Sequence, residues 1–493
     1  MAKKVVKVLP NESITWSLSK NGFSTQSGSL ENILTDQQVQ AFLESGQGKF
    51  VASDQTSWYL TVAGDLYGCG LNDSGQQGDG TTTNVTTFTK RASNVKDISC
   101  TGNTTWYVDN NGDLYGCGSN GLGQQGDGTT TDVKIFTKRA SNVKDISCSN
   151  AIWYVDNNGD LYGCGYNGNG QQGDGTTTNV TTFTKRASNV NKIIYTGNST
   201  WYVNNNGDLY GCGGNSKGQQ GNGATTDVKT FTKIASNVKD ISCSTSTTWY
   251  VDSNGDLYGC GHNSSGQQGS GATTDVKTFT KRASNVKDIS CSTKSTWYVD
   301  NNGDMYGCGE NGEGQQGDGN TTDVKTFTKR ASNVKDISCS YYTTWYVNNN
   351  GDLYGCGYNS KGQQGDGTTT DVKIFTKRAS NVKDISCAEN LTWYITNDGG
   401  LYGCGYNMFG QQGDGTTTNV TTFTKRAEGL SSLTANLTIS PTPADAVVTI
   451  DGEVVTTKVV PQGKLISYSI SKDGVSKTGE VRIYEDTTLD VSL

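Results

Sequence analysis

The residues of this sequence best able to do chemistry are its cysteines and its one histidine. Fourteen cysteines occur among 493 residues. Eight recur in the pentapeptide Leu-Tyr-Gly-Cys-Gly, once with Met305 in place of Leu, at Cys69, Cys117, Cys164, Cys212, Cys260, Cys308, Cys356 and Cys404. Six more end the tripeptide Ile-Ser-Cys, at Cys100, Cys148, Cys243, Cys291, Cys339 and Cys387. Thiols in such patterns could form disulfides, bind a metal or act as nucleophiles.

The copies differ in a way that favours free thiols over disulfides. The Ile-Ser-Cys position holds Ala52 in the first copy and Tyr195 in the fourth, so a bond within each copy would leave Cys69 and Cys212 without partners. Disulfides are also rare in cytosolic proteins, and cysteine packs well as a small apolar residue. Zinc sites use paired Cys-x-x-Cys motifs, which do not occur here. We therefore expect buried thiols and no metal site.

His262 is the only histidine, and it lies in a loop position that varies freely among the copies. The matching residues are Leu71, Ser119, Tyr166, Gly214, Glu310, Tyr358 and Tyr406. A position that varies this freely is typical of surface variation and not of a general base. One histidine also cannot complete a Ser-His-Asp triad in each copy. The sequence thus predicts no catalytic residue, no cofactor and no enzyme activity.

Two further segments resemble ligand loops only superficially. Asp109-Asn110-Asn111-Gly112-Asp113 is similar to the start of a calcium loop, but it lacks the downstream Glu, and other copies begin with Asn204 or Asn348. The Gly-Asp-Gly-Thr-Thr-Thr segment at 126–131 lacks the Gly-Lys-Ser/Thr ending of a phosphate loop. A hairpin turn and a surface loop account for these residues.

Composition narrows the possible partners. The formal charge of −7 and the pI near 5.0 argue against general nucleic-acid binding. No apolar run approaches the roughly 20 residues of a membrane span. The N-terminal apolar stretch is interrupted by Lys7 and ended by Pro10, so it lacks the core of a secretory signal. We expect synthesis in the cytoplasm, no membrane insertion and no nucleic-acid partner.

These candidate residues lie in eight copies of one unit, spaced 48 residues apart six times and 47 once. Within the second copy, Lys96–Cys100 and Thr105–Asp109 alternate as half-buried strands do, and 113–118 makes a third strand. Asn-Gly joins the second and third strands, which is a strong hairpin signal. A fourth strand is predicted over Ile135–Ala140. Four strands in this length correspond to one blade of a β-propeller.

A ring of such blades follows from burial. One four-stranded blade cannot cover its own apolar faces, so each must pack on the next, and closure removes exposed sheet edges. We expect the glycines of Gly-Cys-Gly to relieve crowding near the central axis. The fold class predicted is all-β, a propeller of eight repeats with eight blades favoured and seven as the alternative.

The pattern Leu-Tyr-Gly-Cys-Gly-x-Asn-x-x-Gly-Gln-Gln-Gly resembles the regulator-of-chromosome-condensation repeat, hydrophobic-Tyr-x-Trp-Gly-x-Asn-x-x-Gly-Gln-Leu-Gly. The resemblance covers about three quarters of the chain. Here Cys replaces the family Trp, Gln replaces Leu, and a Ser-Thr-Thr-Trp-like stretch replaces the family's small residue and His. Known family functions include nucleotide exchange on a small GTPase, β-lactamase inhibition and ultraviolet sensing. None transfers residue by residue, because the loops do not match.

Three domains are predicted: an N-terminal β segment with a short helix at 1–48, the propeller at 49–430, and a small β-sandwich at 436–493. The C-terminal segment resembles PEGA-like or bacterial immunoglobulin-like modules of phage virion and bacterial surface proteins, on the stretch Ser469–Val475 leading to Glu485–Leu489. Ile14–Gly22 echoes Ile466–Gly474 in sequence. The helix is predicted over Asp36–Ser45.

Recognition is expected where the copies differ, since variable loops on a rigid scaffold usually carry binding. Aromatic and large apolar residues dominate interface hot spots. The candidate residues are Tyr166, Tyr341, Tyr342, Tyr358, Tyr406, Met408 and Phe409. The alternative is drift at unconstrained surface positions. The expected function is a binding or structural protein of a phage virion or bacterial surface, attached to an assembly through its terminal β modules and contacting a cell-surface protein or glycan. The alternative is an intracellular interaction scaffold or exchange factor.

Overall fold

The protein is described here by a computed structural model, which covers residues 14–18, 26–30, 48–428, 434–450, 452–461, 465–482 and 487–492. Every regular element within these ranges is a strand. The same ranges contain no helical segment with the length and apolarity needed to span a bilayer. The predicted all-β class is therefore confirmed, and the helix predicted over 36–45 lies outside the described residues.

Strands β1 (Ile14–Leu18) and β2 (Gln26–Leu30) pair antiparallel. Eight four-stranded sheets follow in chain order, and each takes all four strands from one sequence copy. Blade 1 is β3 (Lys49–Ala52), β4 (Thr56–Leu60), β5 (Leu66–Gly70) and β6 (Val85–Ala92); blade 2 is β7 (Val95–Cys100), β8 (Thr104–Asp109), β9 (Leu114–Gly118) and β10 (Val133–Ala140); blade 3 is β11 (Val143–Cys148), β12 (Ala151–Asp156), β13 (Leu161–Gly165) and β14 (Val180–Ala187); blade 4 is β15 (Val190–Tyr195), β16 (Ser199–Asn204), β17 (Leu209–Gly213) and β18 (Val228–Ala235).

Blade 5 is β19 (Val238–Cys243), β20 (Thr247–Asp252), β21 (Leu257–Gly261) and β22 (Val276–Ala283); blade 6 is β23 (Val286–Cys291), β24 (Ser295–Asp300), β25 (Met305–Gly309) and β26 (Val324–Ala331); blade 7 is β27 (Val334–Cys339), β28 (Thr343–Asn348), β29 (Leu353–Gly357) and β30 (Val372–Ala379); blade 8 is β31 (Val382–Cys387), β32 (Leu391–Thr396), β33 (Leu401–Gly405) and β34 (Val420–Ala427). The sequence prediction of four strands per copy holds in all eight sheets.

The first strand of each blade is the innermost. First strands of neighbouring blades contact one another, whereas the fourth strands fan apart. The Ser99 hydroxyl, for example, lies 3.1 Å from the Cys148 thiol of the next blade. The expectation that the glycines of Gly-Cys-Gly relieve crowding at the axis is therefore wrong, because those glycines lie on the third strand.

A tryptophan ring is the reason for the first of these glycines. Gly116 is paired with Trp106 across the second and third strands. A Cβ on Gly116 would lie 2.3 Å from the Trp106 ring. The glycine therefore makes room for a fully buried indole, which contributes on the order of 4 kcal/mol of hydrophobic free energy by its area. The same Trp and Gly pairing recurs in all eight blades.

Apolar clusters join each blade to the next. Trp106 and Leu114 of blade 2 pack with Val143 and Ile146 of blade 3 in one cluster. Aromatic rings also stack within a blade, between its second and third strands: Tyr107 lies on Tyr115 with centroids 4.8 Å apart. A blade thus completes its core only with its neighbour, as expected for a propeller.

A Ser-Asn turn connects consecutive blades. Asn94 has a φ of 62°, a left-handed conformation that asparagine tolerates better than most residues. The side chain of Asn110, in the adjacent hairpin, donates to the Asn94 carbonyl at 3.0 Å. This short, hydrogen-bonded turn links the fourth strand of one blade to the first strand of the next.

The C-terminal strands belong to a second compact unit. The other unit comprises Phe50–Leu60 and Leu66–Ala427. One sheet is β38-β35-β41 and the other β37-β36-β39-β40. Their bounds are β35 (Thr434–Thr442), β36 (Val447–Ile450), β37 (Glu453–Val454), β38 (Thr457–Pro461), β39 (Leu465–Lys472), β40 (Val475–Arg482) and β41 (Thr487–Ser492). Leu437 and Ile439 share a buried cluster with Ile450 and Ile466. The likeness of the C-terminal segment to PEGA-like or immunoglobulin-like modules stays a prediction.

Candidate binding face

Two sets of loops lie at the same end of the propeller. Because the four strands of a blade follow one another antiparallel, the connection from first to second strand and that from third to fourth strand emerge together. In blade 2 these are 101–103 and 119–132. We call this end the variable face. The opposite end carries the Asn-Gly hairpins and the Ser-Asn turns, and we call it the uniform face.

Buried asparagines and glutamines hold the long loops rigid. The Asn72 amide nitrogen donates to the side chain of Asp79 at 3.1 Å, and its oxygen accepts from the backbone nitrogen of Gln77 at 2.8 Å. Both Asn72 and Gln77 are fully buried. The same contacts recur in the other copies, for example around Asn359. Residues that differ among copies therefore sit on one repeated loop framework.

The first glutamine of Gly-Gln-Gln-Gly links neighbouring blades, a role that sequence reasoning missed. Gln76 donates from its side chain to the Gly102 carbonyl in the short loop of blade 2, at 2.9 Å. Gln267 donates likewise to Thr293 at 3.0 Å. The presence of this first glutamine in every copy was the sequence signal that could have indicated such a role. In six of the eight copies this contact holds the long loop against the following short loop, whereas Gln124 donates to Ser119 of its own loop and the Gln315 side-chain nitrogen has no partner among the described residues.

Blade 7 gathers three of the predicted recognition residues. Tyr341 and Tyr342 lie in its short loop and meet edge to face with centroids 4.4 Å apart. Tyr358, in its long loop, lies 5.4 Å from Tyr342. All three are half-buried, so their rings are partly available to a ligand.

A charged pair from blade 6 borders this tyrosine cluster. Lys294 lies 5.5 Å above the Tyr341 ring and forms a 2.9 Å ion pair with Glu310. The side-chain hydrogen bond with Glu310 is the largest effect raising the pKa of Lys294. Since the two charges compensate each other, the border of the cluster is polar but close to neutral.

Blade 8 supplies three more candidates. Tyr406 and Phe409 meet edge to face at 6.0 Å, and the Tyr406 hydroxyl contacts the Met408 sulfur at 3.2 Å. Met408 is 61% exposed, an unusual value for a large apolar side chain. Blades 7 and 8 are neighbours, so six of the seven candidates lie on adjacent blades of one face. We call these six residues the aromatic patch.

Tyr166 is separate from the aromatic patch, on blade 3. Its hydroxyl lies over Gly168, where an added Cβ would be 2.3 Å away. It neighbours Tyr195, whose hydroxyl donates to the Gly197 carbonyl at 2.8 Å and also contacts Asn150. The structure thus places Tyr166 on the variable face without bringing it to the other candidates.

His262 is engaged with its own loop. Its Nδ1 lies 3.0 Å from the side-chain nitrogen of Gln267, and burial lowers the pKa of His262. The ring is therefore neutral at pH 7, and no Ser or Cys nucleophile is paired with it among the contacts of the described residues.

The third-strand cysteines act as contacts between blades. The Cys117 thiol is fully buried and donates to the Gln76 carbonyl of blade 1 at 3.3 Å. Burial raises its pKa well above the usual range, so the protonated thiol is the form present. All fourteen cysteines are free, in agreement with the expected thiols. The described residues hold no group of three or more His, Cys, Asp or Glu side chains placed to bind a metal.

The segment that is similar to the start of a calcium loop serves the hairpin turn. One oxygen of Asp109 accepts from the backbone nitrogens of Asn111 and Asp113, at 2.9 and 2.8 Å. Its other oxygen accepts from the Asn111 side chain at 3.1 Å. The carboxylate is thus used within the turn, as the hairpin interpretation predicts.

Comparison with known proteins supports the architecture. The model of the regulator of chromosome condensation (RCC1) repeat matches residues 238–267 and 334–363. Prp20p from Saccharomyces cerevisiae superposes with a TM-score of 0.52 at 16% identity, over 67% of this chain and 91% of that one. The repeats form an RCC1-like β-propeller.

Other matches agree with this fold. Yeast RCC1 (Prp20) in its complex with Kap60 gives a TM-score of 0.52 at 16% identity, over 69% of this chain and 92% of that one. Human WBSCR16 gives 0.51 at 15% identity, over 62% and 89%. No curated protein matches the sequence. At these identities the RCC1-like propeller is shared as a fold, and its loops must be interpreted on their own residues.

Proposed function

We propose that this RCC1-like propeller is a non-enzymatic binding protein that recognises its ligand with the aromatic patch on blades 7 and 8. The observation that carries the proposal is the unequal distribution of side chains around a nearly uniform ring. Six large aromatic or apolar residues cluster on two adjacent blades. The matching short loops of blades 2 and 5 hold only small polar residues or glycine, at 101–103 and 244–246.

The two ends of the ring differ in a way that supports the assignment. The uniform face repeats Asn-Gly hairpins whose side chains are engaged in the turn, as Asn349 is with Asn333 at 2.8 Å. The variable face instead places different side chains on a fixed framework. Such an arrangement is typical of binding loops on rigid scaffolds. Tyrosines also lose little side-chain entropy on binding.

The chemistry of the aromatic patch suits a neutral, partly polar ligand. The half-buried tyrosine rings offer flat apolar faces, and their hydroxyls and the nearby Lys294 and Glu310 offer hydrogen bonds. A glycan or a surface protein of a cell has this mixed character. We propose that the protein belongs to a phage virion or a bacterial surface, held in its assembly by the terminal β modules, and binds a host-surface glycan or protein.

An intracellular role is the second candidate, and the fold comparison favours it. The structure of Prp20p is described together with its binding to Gsp1p and histones. A protein partner inside the cell would use the same variable face. The acidic charge balance of −7 makes histones, which are basic, an electrostatically compatible class, but the patch itself is not acidic.

Mass spectrometry of purified virions from cells that express the gene separates the two candidates. The virion proposal expects the protein in virions at a stoichiometry that survives salt washing and is lost when 434–493 is deleted. Its absence from virions, together with capture of one cytosolic protein that depends on Tyr341 and Tyr342, would establish the intracellular alternative.

A further inference from the structure

An ion pair recurs between the long loop and the fourth strand of the blades. In six blades an aspartate of the long loop contacts an arginine of the fourth strand, and the arginine side chains are only 10–12% exposed. The pairs are Asp79–Arg91, Asp127–Arg139, Asp174–Arg186, Asp318–Arg330, Asp366–Arg378 and Asp414–Arg426, with distances of 3.0 to 3.4 Å. Each arginine is thus neutralised by its own copy.

Four donors converge on five of these carboxylates, and three on Asp318, where Asn320 replaces the threonine. Asp79 accepts from the backbone nitrogen of Thr81 at 2.9 Å, from the Thr81 hydroxyl at 2.8 Å and from the Asn72 amide at 3.1 Å. Arg91 contacts its second oxygen at 3.2 Å. Burial acts to raise the pKa of Asp79, but these contacts outweigh it and lower the pKa. The loop is therefore built around an anionic group.

Blade 4 has lost both charges together. Asn222 stands in place of the aspartate and Ile234 in place of the arginine. The Asn215 amide donates to the Asn222 side chain at 3.1 Å, so the loop geometry survives. A blade without the pair is thus compatible with the fold when cation and anion are both absent.

Blade 5 has lost only the anion. Ser270 replaces the aspartate and Ala272 replaces the threonine, while Arg282 remains. Among the described residues, no carboxylate lies within salt-bridge distance of Arg282, in contrast to the six paired arginines. Arg282 influences the thiol of Cys308 just as Arg91 influences that of Cys117, so the two guanidinium groups occupy equivalent places.

Two of the donors that meet the carboxylate elsewhere are still present in blade 5. The Asn263 amide donates to the Ser270 hydroxyl at 3.2 Å, and the backbone nitrogen of Ala272 does so at 3.3 Å. Serine is shorter than aspartate, and alanine lacks the hydroxyl and methyl groups of threonine. The same two donors therefore meet a shorter, uncharged side chain where a carboxylate lies in six other blades.

We infer that blade 5 binds a small monovalent anion, of the size of chloride or a carboxylate group, between the Arg282 guanidinium and the Ser270 hydroxyl, which accepts from Asn263 and Ala272 and so can donate to the anion. An arginine stays charged at neutral pH and binds carboxylates readily, so a partly buried and unpaired guanidinium favours an external anion. The site is distinct from the aromatic patch. The anion is either a free ion or a carboxylate carried by a ligand of the same face.

Chloride-35 NMR on the full chain tests the inference, with chloride itself as the probe. The wild type should show excess line broadening that saturates with chloride. Ser270→Asp with Ala272→Thr restores the arrangement of blade 2, and Ser270→Asn with Arg282→Ile reproduces that of blade 4. Both variants should lose the saturable broadening, because one supplies an internal anion and the other removes the cation.

A variant that creates a second site shows whether the loss of broadening in the other two variants reflects the site itself and not damage to the fold. Asp127→Ser with Thr129→Ala gives blade 2 the arrangement of blade 5 and should about double the saturable broadening, since distant sites act independently. Competition by formate at constant ionic strength would show that the site accepts carboxylates, and its failure would restrict the site to halide. No saturable broadening in the wild type, or broadening in both loss variants as strong as that of the wild type, would overturn the inference.

Discussion

The Cys69 thiol of blade 1 donates to the Gln411 carbonyl of blade 8 at 3.4 Å, across 342 positions of sequence. The same contact joins Cys117 to Gln76 in consecutive blades, at 3.3 Å. Phe50 of blade 1 also packs on Trp393 of blade 8, with centroids 4.6 Å apart. The ring therefore closes through an ordinary blade interface, with every blade built from one continuous segment.

This closure predicts equal effects of two matched substitutions. Cys69→Ala and Cys117→Ala each remove a buried thiol and its hydrogen bond, and each should lower the free energy of unfolding by about 1 to 2 kcal/mol. Urea denaturation followed by tryptophan fluorescence measures both. If Cys117→Ala lowered the free energy of unfolding and Cys69→Ala left it unchanged, blades 1 and 8 would not form the interface described.

The pairing of Trp106 with Gly116 gives a second prediction. Gly116→Ala places a Cβ 2.3 Å from the indole, so it should destabilise the fold by about 1 to 3 kcal/mol through overpacking. Gly121→Ala is the control, because a Cβ there meets nothing within 4 Å. Equal thermal midpoints for the two variants would contradict the packing of the third strand on the tryptophan.

The inner strands predict a pH dependence. Burial, followed by the nearby charge of Asp384, raises the pKa of Asp336 from 3.8 to about 6, and Asp288 adds to the effect while Lys335 opposes it. The folded state thus binds the proton more tightly than the unfolded state does. Stability should fall as pH rises from about 4 to about 6, by up to about 3 kcal/mol.

Asp336→Asn isolates that effect. Asparagine can keep the contact in which the Ile337 nitrogen donates at 2.8 Å, yet it carries no charge. The variant should melt at a higher temperature than the wild type at pH 7.5 and close to it at pH 4. A variant equally stabilised at both values would show that the carboxylate charge is not the cause.

Sequence periodicity was sufficient to predict the blade, because its four strands and its Asn-Gly hairpin each have local sequence signals. The position of Gly116 was misinterpreted because strand order relative to the axis depends on contacts between copies, as between Ser99 and Cys148. Antiparallel alternation also determines which loops share a face. The clustering of Tyr342 with Tyr358 depends on side-chain packing between the short and the long loop of blade 7, which strand periodicity does not show.

The central claim, that the aromatic patch carries recognition, is tested most directly by binding of the full chain to whole bacterial cells of the host strain. One variant replaces patch residues with those of other copies, which already fit the same loops: Tyr341→Thr, Tyr342→Ser, Tyr406→Ser, Met408→Gly and Phe409→Leu. The control on the uniform face is Asn349→Ser, the residue found in blade 5. We predict at least about tenfold weaker binding for the patch variant and wild-type binding for the control. Wild-type binding by the patch variant would contradict the account.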